Sequence, residues 1–376
     1  MIYHSHQKAD FRILPLLQPS PDMLPVDKME VKRLCFEGLS DAPAEDRAWA
    51  WLVLLDVFPP IANDWKYELT SMINHYTAFV NDFHLEKWHQ KYLPKMVLKE
   101  DIEGEFENKE LMREIHADIV RSGRQLQFLP ESNEPHPDAP KDDKLALQVE
   151  NMRRIERLLY IFSSINITFS YMQGFHELLI PLYYVMVVGK DAFISDVDSM
   201  DTVEAIVYHA FQRLVTSTAI SELYTVRDQA SVILLKLGEF QKLFERKLPK
   251  LSKLLSDNSI QPLQYAYRWF HLLFSQEHTM LPLLAVWDSI FAHQPKLVEF
   301  AYYVGLARIE AIFEMNKINF EEKSDMPKLM SALQNSNVDF MVWKVLKRAQ
   351  ELWVEDESVN SKKNEGKKKK RFFLFK

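Results

Sequence analysis

The sequence predicts an all-α fold made of two helical sub-domains. Glycine is scarce, 8 of 376 residues, where about 7% is usual, and a strand-rich fold needs more turn glycines than that. Apolar residues recur at three- and four-residue spacing over long stretches, the period of a helix buried on one face. At 376 residues and 47% hydrophobic side chains, the chain can build a large core, or two units sharing one.

An irregular lead-in runs through residues 1–35, broken by Pro15, Pro19, Pro21 and Pro25. A short helix, Glu30 to Leu39, straddles its end and stops at Gly38. Asp46 to Val57 is an apolar helix halted by Pro59 and Pro60, since proline removes a donor and crowds the preceding turn. Asn63 to Phe83 carries one stripe of Trp65, Leu69, Met72, Ile73, Tyr76, Val80 and Phe83, which reads as core. The pattern loosens from His84 to Asn108, then Glu110 to Arg121 is helical again. Residues 128–144, with Pro130, Pro135, Pro137 and Pro140, predict a solvent loop. Helices over Gln148 to Ile165 and Glu177 to Val188 follow.

A connector at Asp191 to Ser199 marks the expected sub-domain boundary, near 190–200. Helical stripes then run over Val203 to Leu214, Val232 to Leu243, Leu251 to Leu255, Tyr265 to Phe274, Leu281 to Phe291 and Val298 to Phe313. Residues 321–356 form a helical extension whose stripe is Val338, Met341, Val342, Val345, Leu346, Ala349 and Leu352. Residues 357–376 are polar and basic and predict disorder. No fixed-period repeat is present.

Composition excludes several functions. One cysteine, Cys35, builds neither a disulfide framework nor a cysteine metal cluster. The histidines lack metal-ligand spacing such as H-E-x-x-H, there is no G-x-S-x-G elbow, and no Walker A loop is present, so the chain is not expected to hold a nucleotide, cofactor or metal of its own. The first residues lack an apolar signal core, and the longest apolar run, Leu178 to Val188, contains Pro181 and is shorter than the roughly 20 residues that span a bilayer. A cytoplasmic protein is expected. The total charge is −7, but residues 362–376 hold eight Lys/Arg against one Glu, a net +7 that leaves −14 for the rest. An acidic body does not suggest a nucleic-acid surface.

The chemistry centres on Ser170 to Glu177, a polar turn containing Gly174 between two segments that must be buried. Tyr171, Gln173 and Gly174 admit a plain reading, a helix C-cap with Gly174 supplying positive φ, and a functional one, a glutamine held outward by packed elements on both sides. Upstream, Asp118 and Arg121 lie three residues apart on one side of a helical turn, where a solvated pair is worth a few tenths of a kcal/mol.

Ile115, Asp118 and Arg121 fit the pattern I-x-x-D-x-x-R, and Tyr171, Gln173 and Gly174 fit Y-x-Q-G. Arg47 to Leu55 with Trp51 looks like R-x-x-x-W-x-x-L-L, and Arg268, Trp269, Glu277 and Val286 to Phe291 look like R-W…E…W-D-x-(I/L)-F. In this order, over about residues 36–320, the four motifs resemble TBC domains, the Rab GTPase-activating proteins, and the wording of Phe175 to Leu178 resembles the branch with a long insert between the two finger motifs. The resemblance implies a two-part helical fold. Its partner would be a Rab-family small GTPase in its GTP form, carrying the GTP-Mg on which the pair acts, in vesicle trafficking. It implies Arg121 as arginine finger and Gln173 as glutamine finger, with Asp118 bracing the arginine and Tyr171 and Gly174 shaping the glutamine turn. Arg268 is a possible GTPase contact, while Trp287 and Asp288 are structural. In the family an aromatic and a proline closely follow the arginine; here Ser122 to Gln125 intervene before Phe128 and Pro130, which makes Arg124 a competing finger. The alternatives are a non-catalytic scaffold with the same fold and a generic helical membrane adaptor.

Lys367, Lys368, Lys369, Lys370 and Arg371 precede Phe372 and Phe373. Such a cluster attracts anionic lipid at about 1 kcal/mol per basic residue, and the aromatics suit the interface. Peripheral binding to endomembranes is one reading; a solubilising or nuclear-import-like tail is the other.

Overall fold

In the computed structural model, the described residues are 10–98, 100, 102, 106–193, 199–224, 229–318 and 325–373, and side chains beyond 358 lie outside that description. All regular elements among them are helical, as expected. The chain divides into two compact units, Met1–Gln229 with Thr279–Pro295, and Ala230–His278 with Lys296–Lys376.

The first unit holds α1 (Lys28–Glu37), α2 (Ala44–Leu54), α3 (Trp65–Asp82), α4 (Lys109–Arg121), the short α5 (Gly123–Leu126), α6 (Val149–Ile165), α7 (Phe175–Val188) and α8 (Ser199–Ser217). Asp27 caps α1 by accepting from Met29 and Glu30, which satisfies amide donors that the first turn leaves open. Gly38 ends the helix at φ 103°. The second unit opens with α9 (Gln229–Lys247), α10 (Pro249–Asp257) and α11 (Tyr267–His271). The chain then gives α12 (Met280–Ala292) to the first unit and α13 (Leu297–Met315), α14 (Met326–Asn335) and α15 (Val342–Phe373) to the second.

Large rings and buried charges hold the first unit together. Trp51 packs on Trp287 and Phe291 with ring centroids 5.5 and 5.2 Å apart. Buried Asp288 accepts from Arg47 at 3.1 Å and from the Trp51 indole at 2.8 Å, so the paired tryptophan motifs of α2 and α12 meet in the core. Glu204 on α8 accepts from Tyr76 of α3 at 2.5 Å, from Arg154 at 2.7 Å and from Arg157 at 2.7 and 2.6 Å. This fastens α8 to α3 and α6, and explains why the division falls after Gln229 and not at the expected 190–200; residues 194–198 of that connector lie outside the described ones.

In the second unit, Phe240 and Tyr302 each meet Phe270 edge to face and pack on one another at a tilt. Glu277 binds Arg268 at 2.6 Å and Arg308 at 2.9 Å. The expected Tyr265 to Phe274 helix is shorter here, because Leu273 and Phe274 take positive φ and end the turn. α14 falls within the helical extension expected over 321–356, although the stripe named there begins only at Val338. Residues 357–376 were expected to be disordered, yet α15 continues to Phe373. From Val354 to Phe373 there is one glycine, Gly366, and no proline, and Lys and Glu lose little rotamer freedom in a helix. The lead-in is likewise shorter than expected, since α1 starts at Lys28.

Candidate functional site

The site is built at the C-terminal end of α4 and the entry to α7. Asn108 caps α4 by accepting from Leu111 at 3.0 Å, and Met112, Ile115 and Ile119 make its buried stripe. His116 adds two polar anchors, 2.8 Å from Glu156 on α6 and 2.8 Å from the Pro94 carbonyl. This fixes how the last turn emerges. There Asp118 is 2% exposed while the Arg121 side chain is 64% exposed, and the two form an ion pair. A cation in the last turn also favours the negative end of the helix dipole.

α6 ends at Ile165, and residues 166–174 lead to α7. Gly174 has φ 111° at the start of α7. The positive φ anticipated from sequence is therefore present, but it opens α7 and does not cap α6. The Phe175 amide donates to the Met172 carbonyl at 3.0 Å, closing a turn with Gln173 and Gly174 at its centre. Gln173 is exposed and Gly174 buried. Below the turn Phe175 is wholly buried against Phe162, Phe211 and Tyr224. The glutamine thus sits on a turn anchored by an aromatic cluster.

Asp118 brings the two motifs together. One of its oxygens takes Arg121, and the other accepts from the Tyr171 hydroxyl at 2.8 Å. Burial first, and the Asp118 carboxylate second, push the Tyr171 hydroxyl well above the ordinary phenol range, so it remains a donor. A carboxylate held on both oxygens cannot rotate freely, and Tyr171 is two residues from Gln173. Asp118 therefore ties Arg121 to Tyr171, two residues before exposed Gln173.

A second tie lies below it. Gln125 of α5 donates to Glu177 of α7 at 2.6 Å, both side chains being buried. Sequence reading did not anticipate Gln125. The available signal was Glu177, a carboxylate opening an apolar helix, which burial obliges to have a partner. Arg124 is exposed on α5, outside the bonds that join Asp118 to Arg121 and Tyr171. Arg268 belongs to the second unit and is engaged with Glu277. The insert is pinned at Ser132, whose amide donates to the Leu147 carbonyl at 2.9 Å, and at His136, whose amide donates to the Ala146 carbonyl at 3.0 Å. No group of three or more metal-ligating side chains and no membrane-crossing helix occur among the described residues. The basic side chains of 367–371 and the rings of Phe372 and Phe373 lie outside that description.

The family profile described as the Rab-GTPase-TBC domain matches residues 46–317. The chain is 30% identical to mouse (Mus musculus) TBC1 domain family member 13 over 140 residues, 37% of this chain and 33% of that protein. Against human (Homo sapiens) TBC1 domain family member 22A it is 23% identical over 319 residues, 82% of this chain and 53% of that protein. It therefore spans about a third to a half of the length of these relatives. The crystal structure of the Ypt/Rab-GAP domain of Gyp1p superposes with a TM-score of 0.63 at 17% identity, covering 89% of this chain and 94% of that one. The TBC domain of the Chlamydomonas flagellar RabGAP gives 0.54 at 17% identity, covering 87% and 85%. At that identity the superpositions speak for the fold alone.

Proposed function

Since its residues 46–317 match the profile, the chain belongs to the Rab-GTPase-TBC domain family, and from that membership we propose that it accelerates GTP hydrolysis by a Rab-type GTPase in its GTP form. Arg121 and Gln173 complete the partner's nucleotide pocket, and the protein is an activator, not a GTPase itself. GTP hydrolysis by small GTPases is limited by positioning and by charge on the transferring phosphoryl group. Arg121 supplies a permanent cation with donors in a planar fork. Asp118 engages one terminal nitrogen of that fork, leaving other N–H groups for phosphate oxygens. Water screens the pair on its Arg121 side, which holds its worth to about 1 kcal/mol, so Asp118 aims the guanidinium without trapping it. Gln173 both donates and accepts, and so can orient the attacking water.

The observation that carries the reading is the shared carboxylate, Asp118, bonded to Arg121 and to Tyr171 beside Gln173. The GTP and its magnesium belong to the partner. An activator in vesicle traffic works at membranes, and the basic tail supplies peripheral attachment from the cytoplasm; liposome sedimentation with and without residues 362–376 tests this, and equal sedimentation dismisses it. For the activity itself, substoichiometric protein is added to a panel of GTP-loaded Rab GTPases. Multiple turnovers of faster phosphate release on at least one member are expected. Binding without acceleration across the panel assigns the chain to a scaffold role.

A further inference from the structure

We propose that His176 is a positioning residue that couples the two fingers, an inference that rests on the activator reading above. Two cross-braces join α4 to the turn that enters α7, and α5 to α7 itself. Upstream of the fingers, Tyr171 donates to Asp118 at 2.8 Å. Downstream, Gln125 donates to Glu177 at 2.6 Å. Each finger is therefore followed, four residues on, by a member of the second brace. His176 lies between the braces and is 6% exposed. Its Nδ1 is 3.4 Å from the Tyr171 oxygen and 3.7 Å from Asp118, and its Nε2 is 3.6 Å from Glu177.

The direction of the bonds follows from the donors available. The Tyr171 hydroxyl has one proton and gives it to Asp118, so its oxygen can only accept from the imidazole. Nδ1 of His176 therefore carries a hydrogen. The chain of donors runs from His176 to Tyr171 to Asp118, whose other oxygen takes Arg121. Donors in series polarise one another and strengthen each bond. With Nε2 beside Glu177, the same ring fills the space between the braces and keeps their separation. Without it, Tyr171 and Asp118 gain rotational freedom, and the guanidinium and carboxamide lose their fixed relation while each keeps its own loop.

The test uses the full chain with His176→Ala and His176→Asn; an asparagine amide reaches the place of Nδ1 and can donate to Tyr171. Single-turnover GTP hydrolysis by a Rab GTPase gives kcat and KM, and hydrogen exchange is followed over residues 118–126 and 171–177. His176→Ala is expected to lower kcat about 10-fold with KM within about 2-fold, the pattern of an interaction used in the transition state. Exchange is expected to rise in both segments together, and His176→Asn to restore kcat to within about 3-fold and to restore protection. Unchanged kcat in His176→Ala, equal defects in both variants, or faster exchange confined to one segment overturns the proposal. If the wild-type chain accelerates no GTPase, the activator reading fails; the exchange comparison still decides the coupling, because it needs no partner.

Discussion

Replacing Asp118 by asparagine separates bracing from folding. The carboxylate is 2% exposed and serves Arg121 on one oxygen and Tyr171 on the other. Asparagine keeps the shape but has one acceptor. With its oxygen turned to Tyr171, its amide meets the Arg121 guanidinium, donor against donor. The lost pair is screened at Arg121 and costs under about 1 kcal/mol. Weakening the bond from Tyr171, now to a neutral acceptor, costs about 1 kcal/mol more. Unfolding free energy should therefore fall by about 1–2 kcal/mol, leaving the fold intact. The effect on activity should be larger, a 10–100-fold drop in kcat, because the arginine loses its aim but not its charge; an entire arginine finger is worth 10³–10⁵. The assay is single-turnover GTP hydrolysis on Asp118→Asn, Arg121→Ala and the double variant, beside urea unfolding of each. If Asp118 acts through Arg121, the double variant is no slower than Arg121→Ala. An undiminished further drop in the double variant would refute the bracing argument.

Gly174→Ala should lose about 1–2 kcal/mol of stability in urea unfolding, since φ 111° is costly for a residue with a Cβ, and hydrolysis should slow with it as the Gln173 turn shifts; full stability would show that the turn tolerates a side chain. Glu204→Ala removes the buried carboxylate shared by Arg154 and Arg157, leaving them the more exposed Asp201 and Glu150, and should cost about 3 kcal/mol, because two buried cations lose their buried partner; replacing all three by leucine should cost less, and the reverse order would contradict this. Burial lowers the pKa of His209 and of His271 from 6.5 to about 4. Both therefore stay neutral in the folded chain while the unfolded chain takes up protons, so their stabilisation is complete above about pH 6.5 and is lost as the pH falls towards 4. On the order of 1–2 kcal/mol per histidine should be gone by pH 5, and a flat urea-unfolding profile between pH 7 and pH 5 would contradict that.

Much of the fold was legible because it rests on periodicity. The stripes of Trp65 to Phe83 and of Val298 to Phe313 returned as α3 and α13. Boundaries set by capping were legible too, as at Gly38. What sequence could not show was pairing across distance. Arg153, Arg154, Glu156 and Arg157 are charged residues of α6 that are nevertheless buried, because Glu204, Tyr76, Trp88 and His116 arrive from other elements. The same gap misplaced the division of the chain, since nothing in residues 199–217 announces that Glu204 has partners on α3 and α6. At the site, the identities of Arg121, Asp118, Tyr171 and Gln173 were visible as patterns. That Asp118 joins Arg121 to Tyr171 was not, because a carboxylate three residues from an arginine looks the same whether it faces solvent or a tyrosine 53 positions away. The helical continuation of α15 beyond residue 357 was missed because composition reports the lack of a core, not the local preference of lysine and glutamate for a helix.

The most direct test is the rate at which a Rab GTPase, saturated with this protein, hydrolyses GTP when Arg121 or Gln173 is replaced by alanine. Each change alone should cut kcat by about 10³-fold or more while the GTP-loaded complex still forms. Either variant retaining the wild-type rate would contradict the convergence of these two side chains on the partner's nucleotide.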